Sequence, residues 1–363
     1  MIAKILLATW LLASLWAIGP LSAAPATVTD IDGAIQPQVA VSSDAVVHVV
    51  FGQNDSGKIY HVSSAGSVLA FGQPRQVAAL PKLALGKGRG PRVAVSGKSL
   101  VVAAISHADG NLYGWTSPDA GTTWSKPQVI NDAPGTAAEG LHALASDPRG
   151  NVFITWLDSR NKGMQVWGAA SADGGLHWGK NLLIYQSPDG SICPCCRPSI
   201  AMDDSGRIAV MWRNSLAGAR DMHLSLSSDT GKSFAPATKL GEGTWTLDGC
   251  PIDGGDLAFN AKGDLLTIWR RDTAIYLTTG SQPEQLLAKD GLRPIIASGK
   301  PGPSFLWEAN GDLMTSSPST PAPTPLAQKA THAASASIPG GGSVLVWESQ
   351  TAGKPALLGE LVE

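Results

Sequence analysis

One pattern of apolar and polar positions recurs along the chain. A short strand with a small, apolar centre leads through a Gly/Asp/Ser turn into a more apolar strand, often closed by Trp. The copies start at Gln38, Arg92, His142, Ser199, Asp256 and Ile295, with a weaker one at His332. Their second strands fall at 46–51, 100–105, 152–156, 208–212, 265–269, 304–307 and 344–347. Short unbroken apolar runs bounded by turn residues are strands covered on both faces. A third strand follows a polar turn, as at 222–227 and 275–279, and in most copies a fourth, as at 128–130.

Four short antiparallel strands in units of roughly 40 to 57 residues predict an all-β fold, a β-propeller of four-stranded blades. Seven copies predict seven blades; a six-bladed ring with an irregular last repeat is the alternative. The last copy runs out of chain before its fourth strand. The segment 27–31 is expected to supply it and close the ring.

Composition agrees. Gly 41, Pro 25 and 12 Trp, with only 15% charged residues, suit short strands and tight turns better than helices. A formal net charge of −2 gives no electrostatic reason to expect nucleic acid or an anionic membrane as partner. Residues 1–26 read as a signal peptide. Lys4 is followed by an apolar run at 5–18, a Gly19-Pro20 break and small residues at Ser22, Ala23, Ala24 and Ala26. No later segment is an integral membrane segment of 18 uncharged apolar residues. The expectation is therefore one exported, soluble domain over 27–363, periplasmic or secreted.

Three consecutive repeats carry the same turn between third and fourth strands. The first holds Ser117, Asp119, Gly121 and Trp124; the second Ser171, Asp173, Gly175 and Trp178; the third Ser227, Asp229, Gly231 and Phe234. The carboxylate is suited to accept backbone N–H bonds within its turn, Gly permits positive φ, and the aromatic packs back on the blade. This Ser-x-Asp-x-Gly-x-x-Trp/Phe phrase is the Asp box, and the chain resembles the sialidase (neuraminidase) superfamily of BNR-repeat β-propellers. The boxes are expected to be structural, outside any active site.

The resemblance implies a glycan-directed protein, an exo-acting glycoside hydrolase on terminal acidic sugars, with three arginines clamping a carboxylate. Arg92, Arg197 and Arg293 lie at or just before inner strands and are the candidates, with His142 and His332 as further ligand-binding positions. The family's Arg-Ile-Pro motif is matched incompletely: Pro91-Arg92-Val93 lacks the following Pro, and Arg197-Pro198 and Arg293-Pro294 lack the intervening apolar residue. A sialidase also needs a Tyr nucleophile paired with Glu. Tyr60, Tyr113, Tyr185 and Tyr276 are not at inner-strand starts, so Asp253 and Asp256 are the candidate carboxylate pair for catalysis. The resemblance makes a glycan or other small acidic ligand the expected partner; the rival function is a non-catalytic binding or assembly module whose cysteine-lined mouth holds a protein partner, peptide or metal.

Cys193, Cys195, Cys196 and Cys250 precede the fourth and fifth inner strands. An even count in an exported protein points first to disulfides, such as Cys195 or Cys196 to Cys250. A copper(I) or zinc site and a redox thiol pair are the other readings. His48, His61, His107, His177 and His223 are scattered and read as packing or surface residues.

Overall fold

The computed structural model describes residues 24–64, 68–350 and 355–362. The segment 1–23, and with it most of the expected signal peptide, lies outside them. Seven four-stranded antiparallel sheets form the ring. The innermost strands are Ala34–Val41, Arg92–Ser96, His142–Ser146, Ser199–Met202, Gly255–Phe259, Leu292–Ala297 and Ala330–Ser337, here blades 1 to 7. Each reproduces a repeat start expected from the sequence. No helix of the described residues is long and apolar enough to cross a membrane.

Blade 7 takes its outermost strand from the other end of the chain. Ala26–Thr29 pairs antiparallel with Ala356–Val362, joining Ala26 to Gly359 and Thr27 to Leu358. Val28, 2% exposed, enters a cluster with Phe51 of blade 1 and Val344 of blade 7. The ring is thus closed by the N-terminal strand on the last blade, as expected, and every blade has four strands.

The core is not one mass but a ring of interfaces. Among the described residues there are seven apolar clusters, and each joins two neighbouring blades. Strand alternation explains the unbroken apolar runs. In blade 1, Val47, Val49 and Phe51 face blade 7, while Val50 faces blade 2. Trp156, Trp212, Trp269, Trp307 and Trp347 close second strands and are all fully buried. Seven interfaces settle the count at seven blades.

The Asp boxes act at these interfaces. In the third box, Ser233 N–H donates to Asp229 Oδ1 at 3.0 Å and Gly231 N–H to Ser227 Oγ at 2.9 Å. The first two repeat this scheme at 2.8 to 2.9 Å. Hydrogen bonds from the Ser233 and Ser227 hydroxyls hold the Asp229 carboxyl down at about 2. The aromatics pack differently from expectation: they lean on the preceding blade as well as their own. Trp124 meets His61 of blade 1 edge-on at 5.7 Å, and Phe234 meets Phe153 of blade 3 at 5.4 Å. The reason is burial: both faces of a blade are covered, so the turn finds its apolar cover across the gap. The boxes line neither central cavity.

Candidate functional site

The inner strands enclose a channel with a cavity of about 400 Å³ at one mouth and a deeper one of about 210 Å³. Gln38, Arg92, Arg197, Ile295 and Ala333 line both, so the two adjoin. The mouth presents Lys87, Arg92, Arg197, Arg270 and Arg293 against a single carboxylate, Asp253. Low-dielectric walls focus such a field toward an anion.

A recurrent bulge builds the mouth. In blades 1, 6 and 7 the inner strand slips register between Ile35 and Gln38, Leu292 and Ile295, and Thr331 and Ala334. Each bulge places a non-glycine residue at positive φ: Gln36 at 56°, Arg293 at 47° and His332 at 52°. Such conformations persist only where the surroundings hold them. Here an acid of the preceding blade receives each N–H. Gln36 N–H donates to Glu348 Oε1 at 2.8 Å, His332 N–H to Glu308 Oε1 at 2.8 Å, and Arg293 N–H to Asp253 Oδ2 at 3.1 Å. Glu308 and Glu348 each follow the buried Trp of a second strand. This Trp-Glu dipeptide was a readable signal that the repeat pattern alone did not single out; Arg213 and Arg270 stand at the same place after Trp212 and Trp269.

The three sequence-predicted arginines converge on the mouth but are not equivalent. Arg92 is 4% exposed and spends its guanidinium on backbone carbonyls, donating to His142 O at 3.3 Å, Pro91 O at 3.1 Å and Gly88 O. Burial, and then repulsion by Arg197, pulls its pKa down. Arg293 forms a two-pronged pair with Glu308, with Nε to Oε1 at 2.7 Å, and reaches Thr331 Oγ1 at 3.2 Å. Arg197 makes no hydrogen bond or ion pair among the described residues. It is packed round by protein and half-buried, on the wall of the channel. Burial lowers its pKa; Asp256 and Asp253 oppose that.

The candidate carboxylates divide between the two cavities. Asp253 lines the mouth and Asp256 the deeper channel. Asp256 Oδ2 accepts from Ile296 N–H at 2.9 Å. Asp253 Oδ2 lies 3.5 Å from Arg270 Nη1, while its buried Oδ1 has no partner. Burial raises both above the usual carboxylate range, against the pull of Arg293 N–H and Arg213 on Asp253 and of Arg197 on Asp256. Arg213 donates twice to the Asp253 carbonyl, at 3.1 and 3.0 Å, and fixes that turn.

The two predicted ligand-binding histidines divide. His142 is 1% exposed and lines neither cavity; its Nε2 lies 3.1 Å from Ala103 O, and burial presses its pKa down to about 3. The reason is register. His142 pairs with Trp156, whereas Gln38, Asp256 and Ile295 pair with the residue before their aromatic. One residue of offset turns a strand side chain to the other face. His332 does line the mouth, with Nδ1 3.4 Å from Glu348 Oε1. No tyrosine lines either cavity.

The four cysteines are free, and the expected cross-blade disulfide to Cys250 is not formed. The sulfurs of Cys193, Cys195 and Cys196 instead converge on one another, at 3.5 to 3.9 Å, well beyond a disulfide's ~2.05 Å. Cys195 lines the mouth.

Residues 93–242 match the BNR repeat-like domain. No curated protein sequence matches the chain. Among solved structures, an ulvan lyase of polysaccharide lyase family PL25, bound to GlcA(1-4)Rha3S, superposes with TM-score 0.57 at 9% identity, over 93% of this chain and 95% of that one. Virginiamycin B lyase from Staphylococcus aureus gives 0.56 at 12%, over 93% and 98%. NanB sialidase from Streptococcus pneumoniae gives 0.53 at 10%, over 93% and 69%. At such identities the likeness shows the fold alone. With three bonded Asp boxes and seven closed blades, the chain is a seven-bladed β-propeller whose residues 93–242 resemble the BNR repeat-like domain.

Proposed function

We propose that this is an exported, glycan-directed propeller that binds a small carboxylate-bearing ligand, an acidic sugar, at the channel mouth. The observation that carries the reading is Arg197. It is the one predicted clamp residue without a hydrogen-bond or ion-pair partner among the described residues, and it stands in a cavity where five cationic side chains meet one carboxylate. A guanidinium fork suits a carboxylate in two-pronged fashion. Arg92 and Arg293 serve the frame instead, so the ligand is anchored by Arg197, with Arg270 and Lys87 supplying field. The GlcA-bound ulvan lyase and the NanB sialidase lend support, as neighbours of the same fold.

Hydrolysis is a second reading, favoured by Asp253. A buried carboxyl with an unpaired oxygen and a raised pKa is equipped to give a proton as general acid. A tyrosine nucleophile at either cavity does not accompany it, so binding without turnover is the primary proposal.

The test is titration calorimetry of sialic acid, glucuronate and their neutral counterparts. Acidic sugars should bind and neutral ones should not. Arg197→Ala should weaken binding about 10- to 100-fold, the range for a lost charge-assisted contact of ~1.5–3 kcal/mol. No acidic ligand bound by folded protein would refute the proposal. Fluorogenic glycosides report the second reading: turnover lost in Asp253→Asn would establish it, and none across the panel would end it.

A further inference from the structure

The cysteine turn is not used by the acidic-sugar reading, yet its geometry is that of a ligand set. Cys193-Pro194-Cys195-Cys196 enters blade 4 just before the inner strand Ser199–Met202. The turn is fixed on both sides. Cys193 N–H donates to Arg213 O of the same blade at 3.2 Å, and Ile192 N–H to Met164 O of blade 3 at 2.9 Å. Cys193 and Cys196 are each 1% exposed, and Cys195 opens to the mouth cavity.

The three sulfurs form a near-equilateral triangle, with sides of 3.5, 3.9 and 3.9 Å. A point in their plane equidistant from all three lies about 2.2 Å from each, against a Zn–S bond of about 2.3 Å. An ion seated in or just above that plane would meet three sulfurs at bonding distance with no rearrangement. Oxygen-seeking calcium and magnesium are poor fits to an all-sulfur set; thiophilic ions are good ones. Without a cation the three sulfurs resist ionisation. Their mutual S–H contacts, with burial, push the Cys193 thiol up to about 11 and the Cys196 thiol to about 12. A bound metal removes that barrier, because a coordinating thiol is deprotonated outright. The complex formed would be anionic, and the Arg213 guanidinium beside Cys196 counters that charge.

We propose that Cys193, Cys195 and Cys196 form a thiolate site for one soft d10 cation, Cu(I) or Zn(II), at the rim of the channel mouth. Binding exchanges three thiol protons for the ion, with no change of oxidation state. Cys250 decides between the ions. It is exposed and stands outside the three-sulfur group, on the Cys195 side. Zinc takes four ligands in structural sites and would recruit it, whereas Cu(I) is satisfied by three sulfurs.

The experiment uses the full-length chain, fully reduced and handled without oxygen, with Zn(II) or Cu(I) added alone. Native mass spectrometry should show one ion per chain, and the denatured mass should show four free thiols. Bound metal should slow iodoacetamide labelling of three thiols at least 10-fold, a readout that needs no variant. Cys193→Ser and Cys196→Ser, checked for folding by circular dichroism, should lose the ion. Cys250→Ser should lose zinc at least 10-fold more than copper if zinc is the native ion, and leave Cu(I) affinity unchanged if copper is. No stoichiometric uptake by folded, reduced protein would overturn the proposal. So would protein isolated without reductant four hydrogens light, because two disulfides would then occupy all four sulfurs.

Discussion

The claim that Asp boxes join blades can be tested at one atom. Gly231 sits at φ 84°, and a Cβ there would fall 2.3 Å from the ring of Phe153 in blade 3. Phe153 is fully buried, with Phe234 5.4 Å away on one side, and Gly168 leaves no spare room on another. Gly231→Ala therefore meets two costs. Left-handed backbone costs a non-glycine residue about 1–2 kcal/mol, and overpacking a filled interface adds roughly 1–3 kcal/mol. Gly218 provides the control. It sits at φ 78°, and a Cβ there would meet nothing within 4 Å. Gly218→Ala should show the backbone cost alone, so the two variants should differ by about 1–3 kcal/mol. Urea unfolding at constant slope gives both values from the shift in midpoint. Phe153→Leu should partly rescue Gly231→Ala, a less-than-additive pair in the double-mutant cycle. If both glycine variants lose the same stability, the box does not press on the neighbouring blade and the stitching account is wrong.

Two further outcomes follow from the mouth and its surroundings. His142 is held neutral at a pKa of about 3, against about 6.5 when unfolded. Below pH 6.5 the unfolded chain therefore binds one more proton than the native one, and stability falls as pH drops toward 3. His142→Gln should remove up to about 1.4 kcal/mol per pH unit of that slope between pH 6 and 4, read from urea midpoints. Glu308→Ala removes the acceptor of both Arg293 and His332 N–H. With the Arg293 side chain 37% exposed, a loss of about 2 kcal/mol is expected, below that of a fully buried pair; Glu308→Gln should recover part of it and restore slow exchange of the His332 amide.

What was legible in the sequence was whatever the propeller repeats. Burial on both faces writes the same apolar run into each second strand, so 46–51 and 344–347 could be aligned although they share few residues. Ring closure was legible too, because a missing fourth strand in the last repeat has to come from somewhere. The mouth was harder, because its geometry departs from the repeat. Gln36, Arg293 and His332 stand in bulges that no pattern of period two registers. Alignment by pattern thus named Gln38 where Gln36 takes the capped position, and named His142 where one residue of offset hides the ring.

The same departure explains why the arginines were found and their roles were not. Residue type and strand position brought Arg92, Arg197 and Arg293 to one cavity, but availability depends on partners from neighbouring blades. Glu308 belongs to blade 6 and holds His332 of blade 7, while Asp253 of blade 5 holds Arg293 of blade 6. These are contacts between successive repeats, at separations of 24 and 40 residues, with no local signature. Each acid thus serves two tasks at once, fixing a strained inner strand and neutralising a cation. Among the described residues of the mouth, Arg293 and Arg270 are thereby tied to carboxylates and Arg92 to carbonyls, and Arg197 is left to meet whatever enters the channel.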